Sequence, residues 1–264
     1  MTQDILLRED KNDVTMLTLN TPKSLNALSD AMLATLHAEL DNIADTLEIR
    51  AVILRGNGKA YCAGHDLKEM TAARAADDGG QAYFKDLFAR CSGVMQRILT
   101  LPQPVIAQVH GIAAAAGCQL VATCDMAVAA DDTVFGVNGV NIGLFCSTPM
   151  VALSRNIPRK KAFEMLTKGR FIHANEAENI GLIIISVPLD TLEAETLKLA
   201  QTVSGKLGKA VRIGKHAFYE QIEMPVDQAY TYTGEVMATN MMYNDTAEGV
   251  AAFLEKRDAT WKNP

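Results

Sequence analysis

The chain has 264 residues, 48% of them hydrophobic, with a formal net charge of −6. That length suits one large domain or two with an ample core, and the acidic balance excludes a general nucleic-acid or membrane-surface role. There is no long apolar span, and the opening MTQDILLRED lacks the basic-then-apolar character of a signal peptide, so a soluble, cytoplasmic protein is expected.

In chain order, Val14–Leu19 alternates as a half-buried strand and is broken at Thr21–Pro22. Ser29 is a good N-cap for a helix with the apolar face Met32, Leu33, Leu36, Leu40, Ile43 and Leu47. Ala51–Arg55 is a continuous apolar run of buried-strand type. It leads into KAYCAGHDLKEM (Lys59–Met70), where Ala63–Gly64 make a small-residue turn. Asp66 then stands as N-cap, with Glu69 three residues later as in a capping box. Thr71–Gly80 has no apolar period and reads as a mobile loop over a binding site. A helix from about Gln81 to Leu99 follows, ended by Pro102 and Pro104.

The stretch Val105–Asp125, VIAQVHGIAAAAGCQLVATCD, carries the functional reading. A short apolar strand turns at Gly111, passes through four alanines and reaches Gly117, where an apolar helical pattern begins. A strand that feeds through tiny side chains into a helix N-terminus leaves backbone N–H groups reachable. The helix dipole there favours negative charge, which suits a carbonyl becoming an oxyanion. The alanines alone equally suit plain close packing between layers.

Met126–Ala130 and Val134–Gly136 read as short strands, Pro158 starts a helix, Ala174–Asn179 is a further short helix and Ile183–Val187 a strand. From about Thr191 only helices follow: Thr191–Ser204, Ala210–Glu223, Val226–Met242 and Thr246–Lys256. The division is therefore a mixed core over 1–190 and a helical assembly region over 191–264. Met237, Met241 and Met242 on that tail read as core or subunit contacts. Cys62, Cys91, Cys118, Cys124 and Cys146 lie in apolar or small-residue contexts and read as reduced structural thiols. No histidine spacing predicts a metal site.

The two strand–turn–helix junctions together resemble the enoyl-CoA hydratase/isomerase (crotonase) superfamily. TPKSLNAL (Thr21–Leu28), GCQLVATCD (Gly117–Asp125), FGVNGVNIGL (Phe135–Leu144) and AEGVAAFLEKR (Ala247–Arg257) extend the resemblance in the family's order along nearly the whole chain. The AAAGCQL and GLFCSTP wording is similar to the enoyl-CoA hydratase domain-containing subgroup. The resemblance implies an α/β fold, a spiral of ββα units with a C-terminal all-helical trimerisation region, and a homotrimer or dimer of trimers. It also implies a backbone oxyanion hole formed by the N–H groups of His65 and Ala116, where the family usually has glycine at positions 115 and 116. The substrate implied is an acyl-CoA thioester, with no bound cofactor.

Hydration in this family uses two glutamates to activate a water, because one proton must leave the water and another must reach the α-carbon. The matching positions here are Gln119 and Gly139. No Asp or Glu stands between His110 and Cys124 or from Thr133 to Phe163. An amide can hold a water but takes up no proton near neutral pH. Placing glutamate at both positions should raise hydration, with a positive φ at Gly139 as the obstacle. Asn138, Asn141 and Gln119 lie in segments that the resemblance places near the reacting carbons. The His65 side chain is a candidate acid–base group, or a ring facing solvent at a turn whose backbone alone matters. Cys146 is a weaker candidate as a nucleophile.

For CoA, the resemblance points to Lys23, Ser24, Leu25 and Ala27, then Ala63, His65, Asp66 and Leu67. Lys23 and Lys68 could meet phosphates as point charges, or be ordinary surface lysines. Two functions remain open. One is an enolate-forming lyase, isomerase or decarboxylase acting on acyl-CoA. The other is a non-catalytic acyl-CoA-binding or scaffold protein that keeps the fold without the chemistry.

Overall fold

A computed structural model describes residues 4–261 of the chain. Met1–Gln3, part of the opening stretch read above, lie outside it. The elements in order are β1 (Leu6–Lys11), β2 (Val14–Leu19), α1 (Asp30–Ala44), β3 (Ala51–Gly56), α2 (Leu67–Ala73), α3 (Gln81–Thr100), β4 (Val105–Val109), β5 (Ile112–Ala114) and α4 (Ala116–Thr123). They continue with β6 (Met126–Ala130), β7 (Val134–Gly136), α5 (Ser147–Asn156), α6 (Arg159–Lys168), β8 (Ile172–His173), α7 (Ala174–Asn179) and β9 (Ile185–Val187). Four helices close the chain: α8 (Leu192–Ser204), α9 (Gly208–Gln221), α10 (Val226–Met241) and α11 (Asn244–Glu255).

The strands form a six-stranded sheet in the order β1-β2-β3-β4-β6-β9 and a three-stranded sheet in the order β5-β7-β8. In the larger sheet only the β1–β2 hairpin is antiparallel. The repeat is direct. β4 lies in the large sheet, β5 in the small one, and α4 follows; β6, β7 and α5 repeat the pattern. In the two earlier turns of the spiral, isolated bridges replace the second strand: Leu28 pairs with His65, and Cys62 with Ala113. Each helix therefore starts from the small-sheet layer, which brings the junctions before α2 and α4 together.

β2 is buried along its whole length rather than on one face. Leu17 and Leu19 pack with Met32, Leu36 and Leu40 of α1, while Val14 and Met16 join Ile53, Ile106 and Ala200 of α8 on the other face. Its polar residues are satisfied: Thr15 donates to Asp10 at 2.8 Å, and Thr18 accepts from Arg55 Nε at 2.9 Å. Ser29 caps α1 by accepting from Met32 N–H at 3.2 Å. The expected apolar face of α1 is buried except Leu47, which lies beyond the helix end and is exposed. The expected loop Thr71–Gly80 is more ordered than its composition suggests. α2 runs through Ala73, and the Asp78 carboxylate accepts from Gly80 and Ala82 N–H at 2.9 and 2.8 Å to start α3. β1 and α5 had no clear sequence signal.

In the helical tail, α8 covers the second face of the large sheet through Ala200, Leu197 and Leu199. α9 is fastened by Lys215, whose buried ammonium donates to Asp125 at 2.7 Å and to the Ile98 and Gln103 carbonyls at 2.9 and 3.0 Å. Burial lowers the Lys215 pKa, and Asp125 opposes the shift. Tyr219 donates to the other Asp125 oxygen at 2.8 Å. α10 buries no residue, and Val226, Tyr230, Met237, Met242, Phe253 and Leu254 on α10, α11 and the turns beside them are exposed in the single chain. Among the described residues no helix is long and apolar enough to cross a membrane.

Candidate functional site

At the first junction the chain leaves β3, passes the buried residues Ala60–Cys62 and turns at Gly64, where φ is +98°. Ala63 N–H donates to the Leu25 carbonyl at 3.0 Å, and Leu28 N–H donates to the Gly64 carbonyl at 2.8 Å. The segments Lys23–Leu28 and Ala63–Lys68 thus run side by side, which places the residues matched to CoA recognition together. Lys23, Ser24, Leu67 and Lys68 are exposed there, Leu25, Ala63 and Asp66 half-buried, and Ala27 buried. Asn26 was overlooked in the sequence reading and organises this region. Its side chain donates to the Asn57 and Ala60 carbonyls, both at 2.8 Å, and accepts from Thr21 N–H at 2.9 Å. The sequence signal is an Asn in the turn segment after Pro22, a residue type that tolerates the left-handed backbone it adopts here at φ +54°.

Asp66 caps α2 by accepting from Lys68 N–H at 2.8 Å and Glu69 N–H at 3.4 Å. The capping box is not closed. Glu69 accepts instead from Asp30 N–H at 2.8 Å, so it caps the neighbouring helix α1. Two helix N-termini are tied together by one carboxylate.

At the second junction Ala114 N–H donates to Cys62 O at 2.9 Å and Ala115 N–H to Gly136 O at 2.7 Å. Ala115 has φ 48° and ψ −115°, and no side chain caps α4. The rotation at Ala115 sets the plane of the 115–116 peptide, and so the direction of Ala116 N–H. The two junctions abut. A Cβ built on Gly64 would lie 3.0 Å from Ala115 Cβ and 3.3 Å from Ala116 N, and one built on Gly117 would overlap the Cys62 carbonyl. Neither His65 N–H nor Ala116 N–H donates in any turn or loop hydrogen bond of the described residues. At the first position of a helix, Ala116 N–H has no intrahelical acceptor.

The profile of the enoyl-CoA hydratase/isomerase family matches residues 9–264. The chain belongs to the enoyl-CoA hydratase/isomerase family. It is 44% identical over 247 residues to human mitochondrial enoyl-CoA hydratase domain-containing protein 3, covering 94% of this chain and 80% of that protein. Its fold superposes on a crystal structure of an enoyl-CoA hydratase from Mycobacterium smegmatis with a TM-score of 0.94, at 51% identity, over 98% of this chain and 99% of that one. The crystal structure of human enoyl-CoA hydratase domain-containing protein 3 gives a TM-score of 0.93 at 41% identity, over 98% of this chain and all of that one. The crotonase fold expected from the sequence is thereby shown. The mitochondrial names of curated relatives overturn the cytoplasmic expectation. Net charge does not separate cytosol from mitochondrion, and lack of a secretory-signal pattern does not either, so they could not carry that reading.

The side chains at the family's positions divide clearly. His65 does not face solvent: its ring packs edge-on against Phe88 with centroids 5.7 Å apart. Both ring nitrogens are buried with no hydrogen-bond partner at standard geometry among the described residues. Desolvation holds its pKa below the ordinary histidine value, with the nearby Leu28 backbone opposing, Arg90 adding to the shift and Asp30 opposing it. Asn141 is committed elsewhere, donating to the Gly169 carbonyl at 2.9 Å, and Asn138 is half-buried at the start of the 3-10 turn Asn138–Ile142. Gly139 is buried without a positive φ. A Cβ there would overlap the Leu144 carbonyl and sit 2.8 Å from Cys146 Sγ. The obstacle to a glutamate at 139 is therefore a filled wall, not backbone conformation.

Gln119 lies one helical turn after Ala116 and is only 3% exposed. It lines a cleft of about 780 Å³ between α3, α4, α5 and α9, of which His65 and Ala116 are not part. The five cysteines are free and buried. Burial pushes the Cys62, Cys91 and Cys118 thiols up to about 12 and raises Cys146 as well. A thiolate nucleophile at Cys146 is disfavoured on that ground.

Proposed function

We propose that the chain binds an acyl-CoA thioester with its carbonyl oxygen between His65 N–H and Ala116 N–H, and that these donors stabilise an enolate. The observation that carries this reading is the contact of the two junctions, where a Cβ built on Gly64 would lie 3.3 Å from Ala116 N, with both N–H groups unspent among the described residues. Donors fixed before reaction and aimed where charge develops are the largest single source of rate in such chemistry. Lys23, Ser24, Leu25 and Ala27, with Ala63, Asp66, Leu67 and Lys68, would line the CoA path.

Ordinary hydration is not the reaction this site supports. Gln119 neither gives nor takes a proton near pH 7, and Gly139 has no side chain and no room for one. Removing one positioned acid–base group costs ~10²–10⁴ in rate, and here both are absent. Decarboxylation of a malonyl-type thioester needs no protein base. The breaking carbon–carbon bond leaves its electrons as an enolate, carbon dioxide departs, and the α-carbon then takes a proton from solvent. The exposed apolar residues of α10 and α11 support assembly of the chain as a homotrimer or dimer of trimers through its helical tail.

The test is loss of enoyl absorbance with crotonyl-CoA beside an established hydratase, and turnover of a malonyl-CoA panel. Hydration at least ~10²-fold below the control is expected. A rate equal to the control would show that another group activates water. Binding of CoA thioesters without turnover of any of them would favour a non-catalytic role.

A further inference from the structure

Two arginines come together at the end of the sheet away from the candidate site. Arg50 directly precedes β3, whose far end leads into the first junction, so ~20 Å of strand separates the two places. Its backbone N–H donates to the Asp13 carbonyl at 2.7 Å, beside the start of β2. Arg212 on α9 reaches the same linker, where its Nη1 donates to the Leu47 carbonyl at 3.4 Å.

The Arg50 side chain is 13% exposed, yet its Nε and Nη2 are buried with no hydrogen-bond partner among the described residues. Its ion pair is with Asp13, whose Oδ2 lies 3.8 Å from Nη1, too long for a hydrogen bond. Arg212 has its one backbone bond and no ion pair among the described residues. Burial and then the positive charge of Arg50 lower the Arg212 pKa. Two guanidiniums are thus balanced by one carboxylate beyond hydrogen-bond reach. Like charges in half-buried surroundings repel, and a buried guanidinium with unused N–H groups is costly. An anion between them removes both costs.

Shape and charge decide which anion. A planar fork of N–H donors matches the oxygens of a phosphate bidentately. The 3.4 Å bond of Arg212 is at the limit of hydrogen-bond length, so its guanidinium gives up little in turning to a ligand. We propose that Arg50 and Arg212 form a phosphate site where β2 and β3 begin, taking inorganic phosphate or the phosphate of a phosphomonoester. Bound there, the anion ties α9 to the linker between α1 and β3. The site lies at the other end of β3 from the CoA path and does not depend on the acyl-CoA reading.

The experiment is thermal unfolding of the full chain in about 10 mM inorganic phosphate and in about 10 mM AMP, each against sodium chloride of equal ionic strength. A dissociation constant of about 1 mM raises the midpoint by about 3 °C. Arg212→Gln should bring the shift below about 1 °C. A shift with phosphate alone identifies the free ion as the ligand, and a larger one with AMP identifies the phosphomonoester; either supports the proposal. No shift with either ligand overturns it, since water then suffices for the buried N–H groups. A shift that survives Arg212→Gln also overturns it, because the phosphate is then held elsewhere, as by Lys23 and Lys68. Where Arg212→Gln does not fold, Asp13→Asn decides: it removes the competing carboxylate and should enlarge the shift, and an unchanged or smaller shift overturns the proposal.

Discussion

At the β3–α2 junction the left-handed backbone falls on Gly64 and the helix is capped by Asp66; at the β4–α4 junction it falls on Ala115 and no side chain caps the helix. The first turn is specified locally, by a residue that tolerates positive φ and by a carboxylate that takes up the helix's first N–H groups. The second has no such local code. Ala115 is held at φ 48° because Ala114 and Ala115 N–H are fixed by Cys62 and Gly136, and because Gly117 lies against the Cys62 backbone. At α2 the Asp66 carboxylate accepts from Lys68 and Glu69 N–H, whereas no side chain caps the first turn of α4.

The comparison is most strongly broken at Gly117. Helix propensity alone predicts that Gly117→Ala stabilises by about 1 kcal/mol. The overlap with the Cys62 carbonyl predicts the reverse, a loss of about 3 kcal/mol or more. Urea unfolding reads the sign directly, and a gain would show that the junctions do not touch as described. Asp66→Ala should cost about 1 kcal/mol, because the cap is local and partly exposed. A loss above ~3 kcal/mol would mean that the first junction, like the second, is held by tertiary contacts.

A pH response should probe the first junction separately, since it carries the buried His65 ring. The folded-state pKa of His65 is depressed by burial. As pH falls through the ordinary histidine value of ~6.5, the unfolded chain takes a proton that the folded chain refuses, so stability falls. The fall stops once the folded-state pKa is passed. Unfolding midpoints between pH 7.5 and 5 should therefore drop less in His65→Leu than in the natural chain, and identical slopes would place the ring in water. The smallest effect is expected at Ala115→Gly. Relief of the positive-φ strain is set against the greater freedom of glycine in the unfolded chain, for a net gain below about 1 kcal/mol. A clear loss would show that the Ala115 methyl supports the turn through its contact with Gly64.

Much of the molecule was legible from local patterns. The apolar period of α1 with Ser29 as its cap, the buried strand after Thr46, the turn at Gly64 with Asp66, and the helix-only tail each follow from chemistry within one or two turns of chain. That positions 119 and 139 carry Gln and Gly rather than carboxylates was legible too, as a matter of residue identity alone. What lies between distant segments was not. Glu69 capping α1, Lys215 fastening α9 to Asp125, and the His65 ring buried against Phe88 all join residues far apart in sequence. Periodicity reports which face of an element avoids water, but not which partner will cover it or which carboxylate will reach across. For that reason the sequence determined the spiral of ββα units, the two small-residue junctions and the lack of a carboxylate at positions 119 and 139. Only the tertiary structure decided that the junctions meet, that Gly139 has no room for an acid, and that the Gln119 carboxamide is buried without a partner.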